Sequence, residues 1–286
     1  MTRLTTNDIT LISDQLQAYD EELIGKTGCT LAGIACQAAD ITEADILKIA
    51  ADIRVSIVPI TFGQGMIPGF CETVANIVSH MGCRALVTQR TDVAGLAEAY
   101  ETKSDILMFA DDDRFVAIGV KNGIVVDNAI ATAKGFIAGL DLLAGGFKQK
   151  NVLVLGCGPV GRAATHTLVQ GNAIVSIYDI NSECSFYLAN EIKDLSNTQI
   201  NIIEELDQAL TDHQFIVDAT PAAEIIREPH ISEQTYISAP GVPLGLDKEA
   251  QAKISDRLLH DPLQTGVATM VACALKSRIR GHAYPI

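Results

Sequence analysis

Two groups of residues in this chain have types and spacings suited to chemistry. The first is Gly156-Cys157-Gly158-Pro159-Val160-Gly161, which follows an apolar run (Val152-Leu153-Val154-Leu155) and opens a segment with helical apolar spacing (Ala163, Ala164, Thr167, Leu168). A second apolar run, Ala173 to Tyr178, ends in Asp179, about 20 residues after the first glycine. Strand, glycine turn, helix and spaced acid together form a dinucleotide fingerprint. Gly156 permits the tight turn, Gly158 lets the backbone approach a pyrophosphate, and Gly161 lets the helix pack closely on the strand with its N-terminal N–H groups aimed at the anion. Asp179 can accept from a ribose 2′-hydroxyl and would repel a 2′-phosphate, and Ile180-Asn181-Ser182 offers no arginine to receive one. The expectation is a Rossmann unit that binds NAD rather than NADP, with a purely structural glycine turn as the alternative.

The second group is Asp111-Asp112-Asp113, at the end of an apolar strand pattern, Ile106 to Ala110. Hydride leaves a carbon that bears nitrogen only when the nitrogen is neutral with its lone pair free. A carboxylate placed at a strand end can bind the ammonium and take its proton, which suits an amine substrate. A solvated charge run is the plain alternative, and magnesium ranks lower because no substrate phosphate is implied. Ligands of open α/β sheets bind beyond the carboxyl ends of strands. That rule also selects the loop Phe62 to Gly69, where Gly63 and Gly65 precede a helix and backbone N–H groups could hold a carboxylate. In the C-terminal half it selects Asp218-Ala219-Thr220-Pro221 and Ser238-Ala239-Pro240-Gly241-Val242-Pro243, which would lie along the cofactor's ribose and nicotinamide unless the prolines merely end strands.

The elements that must position these loops follow from periodicity. Residues 7–24 read as an amphipathic helix and 43–53 as a second one capped by Thr42, with an unassigned Gly/Cys/Ala-rich connection between them. Strands at 55–60, 85–88 and 106–110 alternate with helices at 70–81 and 93–100, which implies a small parallel α/β layer, and 115–120 adds a further strand before the Lys121-Asn122-Gly123 turn. A helix at 132–143, whose Gly135 and Gly139 could allow close packing, leads into the fingerprint. Beyond it lie a helix at 184–195, short strands at 200–202, 215–219, 236–239 and 258–259, and a last helix at 267–280 expected to pack back across the domain junction. The fold class is therefore α/β with two domains: residues 1–130 for substrate and 131–286 for the dinucleotide, with the active site in the cleft between them.

Composition bounds the rest. The chain has 286 residues and a net charge of −14, which argues against nucleic acid and anionic membranes and suits cationic or zwitterionic substrates. No apolar run reaches a membrane span and the start lacks a signal-peptide core, so a cytoplasmic protein is expected. Seven cysteines without a CxxC pair read as reduced thiols, and six histidines without HxxxH spacing give no zinc site.

At these residues the chain resembles the pyrrolysine-biosynthesis dehydrogenase family. The resemblance is carried by Leu4-Thr5, Val58-Pro59-Ile60-Thr61 followed by Gly63-x-Gly65, Glu72, Asp92-Val93-x-Gly95, Ala110-Asp111-Asp112, Lys121-Asn122-Gly123, the glycine turn, Ala219-Thr220-Pro221, Pro240-Gly241, and Pro262-Leu263 ahead of Gly266. It implies NAD-dependent oxidation of the isopeptide between 3-methyl-D-ornithine and the lysine ε-amine. The terminal amine carbon of the methylornithine moiety would give up hydride, ammonia would leave, and the α-amine would close the pyrroline ring. By resemblance Asp111 meets the reacting amine, while Leu4, Gly63, Gln64, Gly65, Met66, Ile67, Glu72 and Asp112 form the substrate pocket. The family also suggests a homodimer. Phe62, Gln64, Pro68, Asp113 and Arg114 depart from the family pattern. Two rivals are a folate- or shikimate-type dehydrogenase, which shares the domain order, and a module that senses NAD without chemistry.

Overall fold

The computed structural model describes residues 4–280. These fall into two compact units, Phe136–Pro262 and the described residues on either side of that segment.

The N-terminal unit opens with α1 (Thr6–Ile9), α2 (Ile12–Thr27), α3 (Leu31–Ala39) and α4 (Glu43–Leu47), followed by a 3-10 turn at Ala50–Asp52. The single helix expected at 7–24 is thus two. Thr5 and Asp8 form a capping box on α1, and the Thr10 hydroxyl donates back to the Thr6 carbonyl (2.7 Å) where the first helix stops. The connection that periodicity could not assign is α3. Thr30 caps it through the Gly33 N–H (2.9 Å), and Asp40 ends it in the left-handed region.

Next come β1 (Arg54–Ile57), α5 (Phe70–His80), β2 (Arg84–Val87), α6 (Asp92–Glu101), β3 (Ile106–Ala110), β4 (Phe115–Gly119), β5 (Val125–Asp127) and α7 (Asn128–Leu143). The sheet order is β2-β1-β3-β4-β5. The first three strands are parallel, as βαβ crossovers require, whereas β4 and β5 return antiparallel through short turns and depart from the parallel layer expected. Strand order reverses between β1 and β3, so the loops that follow these two strands emerge side by side. The division between the units passes through α7, after Gly135.

The second unit contains β6 (Asn151–Leu155), α8 (Pro159–Gln170), β7 (Ile174–Tyr178), α9 (Ser182–Ser196), β8 (Asn201–Ile202), α10 (Leu206–Asp212), β9 (Phe215–Asp218), β10 (Tyr236–Ala239), α11 (Lys248–Lys253) and β11 (Leu258–His260). All six strands are parallel in the order β11-β10-β9-β6-β7-β8, the doubly wound arrangement, with its reversal between β6 and β9. Leu153, Leu155, Ile216, Ile237 and Ala239 face one apolar layer together with Leu210, Ile226, Leu246 and Ile254. The expected Rossmann unit is present.

The last helix, α12 (Gln264–Ile279), belongs to the N-terminal unit, where it packs on α3, α5 and β4. The sequence reading placed it in the dinucleotide domain. Its core contacts are specific: a methyl group on Gly135 would come within 2.5 Å of Thr269 Oγ1, and one on Gly266 within 2.5 Å of Thr132 Oγ1, so α7 and α12 cross at small residues. Asn122 Nδ2 donates to the Ala274 carbonyl (3.2 Å) and to Ser277 Oγ (2.6 Å), Arg278 pairs with Asp105 (3.0 Å), and Arg280 pairs with Asp40. No helix among the described residues is long and apolar enough to cross a membrane.

Candidate active site

In the second unit the glycine turn sits between β6 and α8 at the reversal point. Gly156 has a φ of +87°, and its N–H donates to the Tyr178 carbonyl (2.8 Å), which ties the turn to the end of β7. A methyl group on Gly161 would lie 1.8 Å from the Gly156 carbonyl oxygen, so helix and turn are in contact. Gly158 is different, because a methyl group there would meet no atom within 4 Å. No described residue crowds that position, whereas close approach of a ligand to the backbone would require glycine there. Pro159 occupies the first helical position, where its missing N–H is no loss, and Val160 follows it in the first turn of α8.

Asp179 extends β7 and reaches back to the turn, accepting from the Cys157 N–H (2.6 Å) through Oδ2 and from the Asn181 N–H (2.8 Å) through Oδ1. Acid and glycine turn are therefore one assembly. Ile180 projects into solvent, 94% exposed beside them. Burial pushes the Cys157 thiol up to about 11, against a weaker opposing hydrogen bond from Ser185, which disfavours its thiolate at neutral pH. Ala219, Thr220 and Pro221 continue from β9 next to the turn: the Ala219 N–H donates to Leu155 O (2.9 Å), and the Ala219 carbonyl lies 3.0 Å from a Gly156 methyl position. Pro240 and Gly241 continue from β10, and the Gly241 N–H donates to the Asp218 carbonyl (2.9 Å). All thirteen residues expected to hold a cofactor thus lie at the carboxyl ends of β6, β7, β9 and β10.

In the N-terminal unit the loops after β1 and β3 meet. The Gln64 N–H donates to Asp112 Oδ2 (2.7 Å), and Gly63, with a φ of +79°, lies so close to that carboxylate that a methyl group would sit 2.0 Å from Oδ2. Asp112 therefore holds the loop of Gly63, Gln64, Gly65, Met66 and Ile67. Asp92 anchors the start of the same loop, accepting from the Thr61 N–H (2.8 Å) and hydroxyl (2.7 Å), and these bonds keep its carboxyl below the usual range. This second anchor was visible in the sequence only as part of the family pattern.

Asp111 lies in the tight turn between β3 and β4. Its Oδ1 accepts from the N–H groups of Asp113 (2.9 Å) and Arg114 (2.8 Å), which fixes the carboxylate in place while the residue stays exposed. Arg114, the nearest cation in sequence, is turned away: its Nε and Nη2 both donate to Asp127 Oδ2 (3.1 and 3.0 Å). Glu72 is exposed on the first turn of α5. Leu4 is half-buried and leads into α1, which packs on that helix. Among the described residues no group of three or more His, Cys, Asp or Glu is arranged to hold a metal ion.

Residues 8–126 match the family model of the pyrrolysine biosynthesis protein PylD N-terminal domain, and residues 124–230 match the alanine dehydrogenase/PNT C-terminal domain. The chain is 31% identical over 277 residues to a pyrrolysine synthase of Methanosarcina barkeri, covering 96% of this chain and 98% of that protein. It is 30% identical over 273 residues to the pyrrolysine synthase of Methanosarcina acetivorans, covering 95% and 98%. Among solved structures it resembles quinate dehydrogenase from Corynebacterium glutamicum in complex with NAD, with a TM-score of 0.54 at 12% identity over 81% of this chain and 94% of that one, which shows a shared fold. With near end-to-end similarity at this level, the chain belongs to the pyrrolysine synthase family of pyrrolysine biosynthesis.

Proposed function

We propose that the protein oxidises the terminal amine of 3-methyl-D-ornithyl-Nε-L-lysine with NAD, and that ammonia loss and ring closure then give pyrrolysine. The observation that carries this reading is the placement of Asp111. Its carboxylate is held by the turn, with the Arg114 guanidinium engaged by Asp127, at the reversal point of the N-terminal sheet, next to a loop that Asp112 and Asp92 stabilise. When bound, NAD supplies the hydride acceptor. Asp111 binds the terminal ammonium and takes its proton, which frees the lone pair that drives hydride from the adjacent carbon. Loss of hydride leaves an iminium carbon. The α-amine of the same substrate attacks that carbon, ammonia departs with the original nitrogen, and the five-membered ring retains one C=N bond. Leu4, Glu72 and the 63–67 loop are the residues proposed to hold the remainder of the isopeptide.

Gly156, Gly158, Gly161 and the start of α8 fit a pyrophosphate, and Asp179 fits a 2′-hydroxyl, which favours NAD over NADP. The exposed Ile180 side chain suits an adenine face. In solution the protein is proposed to be a cytoplasmic homodimer, which sedimentation of the purified chain tests.

The decisive assay follows NADH absorbance with purified protein, NAD and the isopeptide, with mass spectrometry of the ring-closed product. Asp111→Asn keeps the turn's acceptor at Oδ1 but cannot take the proton. Turnover is expected to fall by about 10²- to 10⁴-fold with NAD affinity unchanged. Full turnover in that variant would remove Asp111 from the chemistry.

A further inference from the structure

Asp218 ends β9, in register with Leu155, so it stands at the reversal point of the Rossmann sheet one residue before the Ala219-Thr220-Pro221 loop. Its side chain has 0% exposure and lies on the same face as Ile216, above the apolar layer of Ile226 and Leu246. A charged group is costly in such a place unless its hydrogen bonds repay the loss of water.

Those bonds all lead to loops. Asp218 Oδ1 accepts from the Thr220 N–H (3.1 Å) and the Thr220 hydroxyl (2.7 Å). The Asp218 main-chain carbonyl accepts from the Gly241 N–H (2.9 Å) in the loop after β10. Further along that loop, Gly245 rests against Oδ2, so closely that a methyl group there would come to 2.0 Å. Oδ2 makes no hydrogen bond of good geometry among the described residues, although the Gly245 N–H lies near enough to attract the carboxylate weakly. Gly241 is equally confined, since a methyl group on it would lie 2.2 Å from the Thr220 carbonyl. Asp218 thus joins the two loops, its side chain bonding Thr220 and packing against Gly245 while its main-chain carbonyl holds Gly241.

The doubly wound sheet divides a dinucleotide between its halves. The β6–β7 half carries the glycine turn and Asp179 and takes adenosine and pyrophosphate, so the β9–β10 half takes the second nucleoside. We propose that Asp218 is a positioning residue that locks the two loops of the nicotinamide-riboside half against each other, without itself touching the cofactor. The proposal rests on the NAD reading given above. Burial also pushes the Asp218 carboxyl up to about 6, against weaker opposing pulls from Thr220, His260 and Gly245, and the bonds to Thr220 need only an acceptor at Oδ1.

The test compares two ligands by calorimetry: NAD, which spans both halves, and ADP, which occupies only the glycine-turn half. Asp218→Ala removes the acceptor, and Gly245→Ala displaces the carboxyl from the far side. Both are expected to bind ADP within about twofold of wild type and NAD at least about tenfold more weakly. Asp218→Asn keeps the Oδ1 acceptor and is expected to restore NAD affinity to within about threefold. Equal loss of ADP and NAD in both alanine variants, unchanged NAD binding in both, or an Asn variant as weak as Ala would overturn the proposal. A wild-type protein that binds ADP but not NAD would overturn the cofactor reading and the proposal with it.

Discussion

The buried acid at the end of β9 gives a stability prediction whose size follows from its surroundings. In the fold its pKa rises from the ordinary 3.8 to about 6, chiefly through desolvation. A carboxyl with a folded pKa above its unfolded value contributes stability that is fully present below 3.8 and is lost as the pH climbs through about 6. At about 1.4 kcal/mol per pH unit the full loss is about 3 kcal/mol, most of which falls between pH 4 and pH 8. Asp218→Asn cannot ionise and does not suffer it. Its amide oxygen still accepts from Thr220, and its NH2 faces Gly245 at a fixed cost that pH does not change. Other carboxylates titrate in the opposite sense, among them Glu191, which Arg162 holds below the usual range, but they are common to both proteins and cancel. Urea unfolding of the two proteins in parallel should therefore show Asp218→Asn gaining about 2 to 3 kcal/mol on wild type as the pH rises from 4 to 8. A difference that stays flat within about 0.5 kcal/mol would show that Asp218 ionises in the fold as easily as in water, and the physical account of its burial would fail.

Two fingerprint glycines should separate folding from binding. Gly158→Ala meets no atom of the described residues within 4 Å, so its melting temperature is expected to match wild type while NAD affinity falls at least about tenfold; Gly161→Ala drives a methyl group to 1.8 Å from the Gly156 carbonyl and should cost about 1–3 kcal/mol of stability as well. Calorimetry and thermal melts on the pair distinguish the two, and equal destabilisation would contradict the placement of α8 against the turn. Asp112→Ala frees the Gln64 N–H and should raise the KM for the isopeptide about three- to tenfold with kcat nearly kept, since the loop is loosened and the acid at 111 stays in its turn. A kcat loss as deep as that of Asp111→Asn would instead make Asp112 a partner in the chemistry.

The parts legible in the sequence were those encoded by near neighbours. The fingerprint needs only some 20 to 30 residues of context, and its glycines, strand, helix and acid all stand where periodicity placed them. The position of Asp111 at the end of a strand is equally local, but the turn that fixes its carboxylate belongs to the hairpin with β4, which spacing does not reveal. Legibility fell where burial is complete or contacts are distant. The helix α3, built of small residues, lacks the polar stripe that reveals a surface helix, and α12, legible as a helix that packs back across the junction, is buried on so many sides that no stripe shows which unit it belongs to. The turn from parallel to antiparallel pairing at β4 was invisible because periodicity does not record strand direction. Spacing reads Asp112 as part of a charge run, to which only the family resemblance adds a pocket role, and Asp218 as the first residue of a cofactor loop. Their work depends on Gln64 and on Gly241 with Gly245, which lie on other loops and meet them only once the sheets are formed.

The return of α12 to the N-terminal unit has a consequence for how the chain is made. Its Thr265, Gly266 and Thr269 fill the surface of α7, and its far end clasps Asp40 and Asp105, so the N-terminal unit lacks a structural wall until α12 has been translated. The Rossmann unit is continuous in sequence and has all six of its strands by residue 260. The Rossmann unit can therefore complete its fold before the unit that precedes it in the chain, which must wait, its apolar α3 and α5 faces uncovered, for a helix encoded after residue 260.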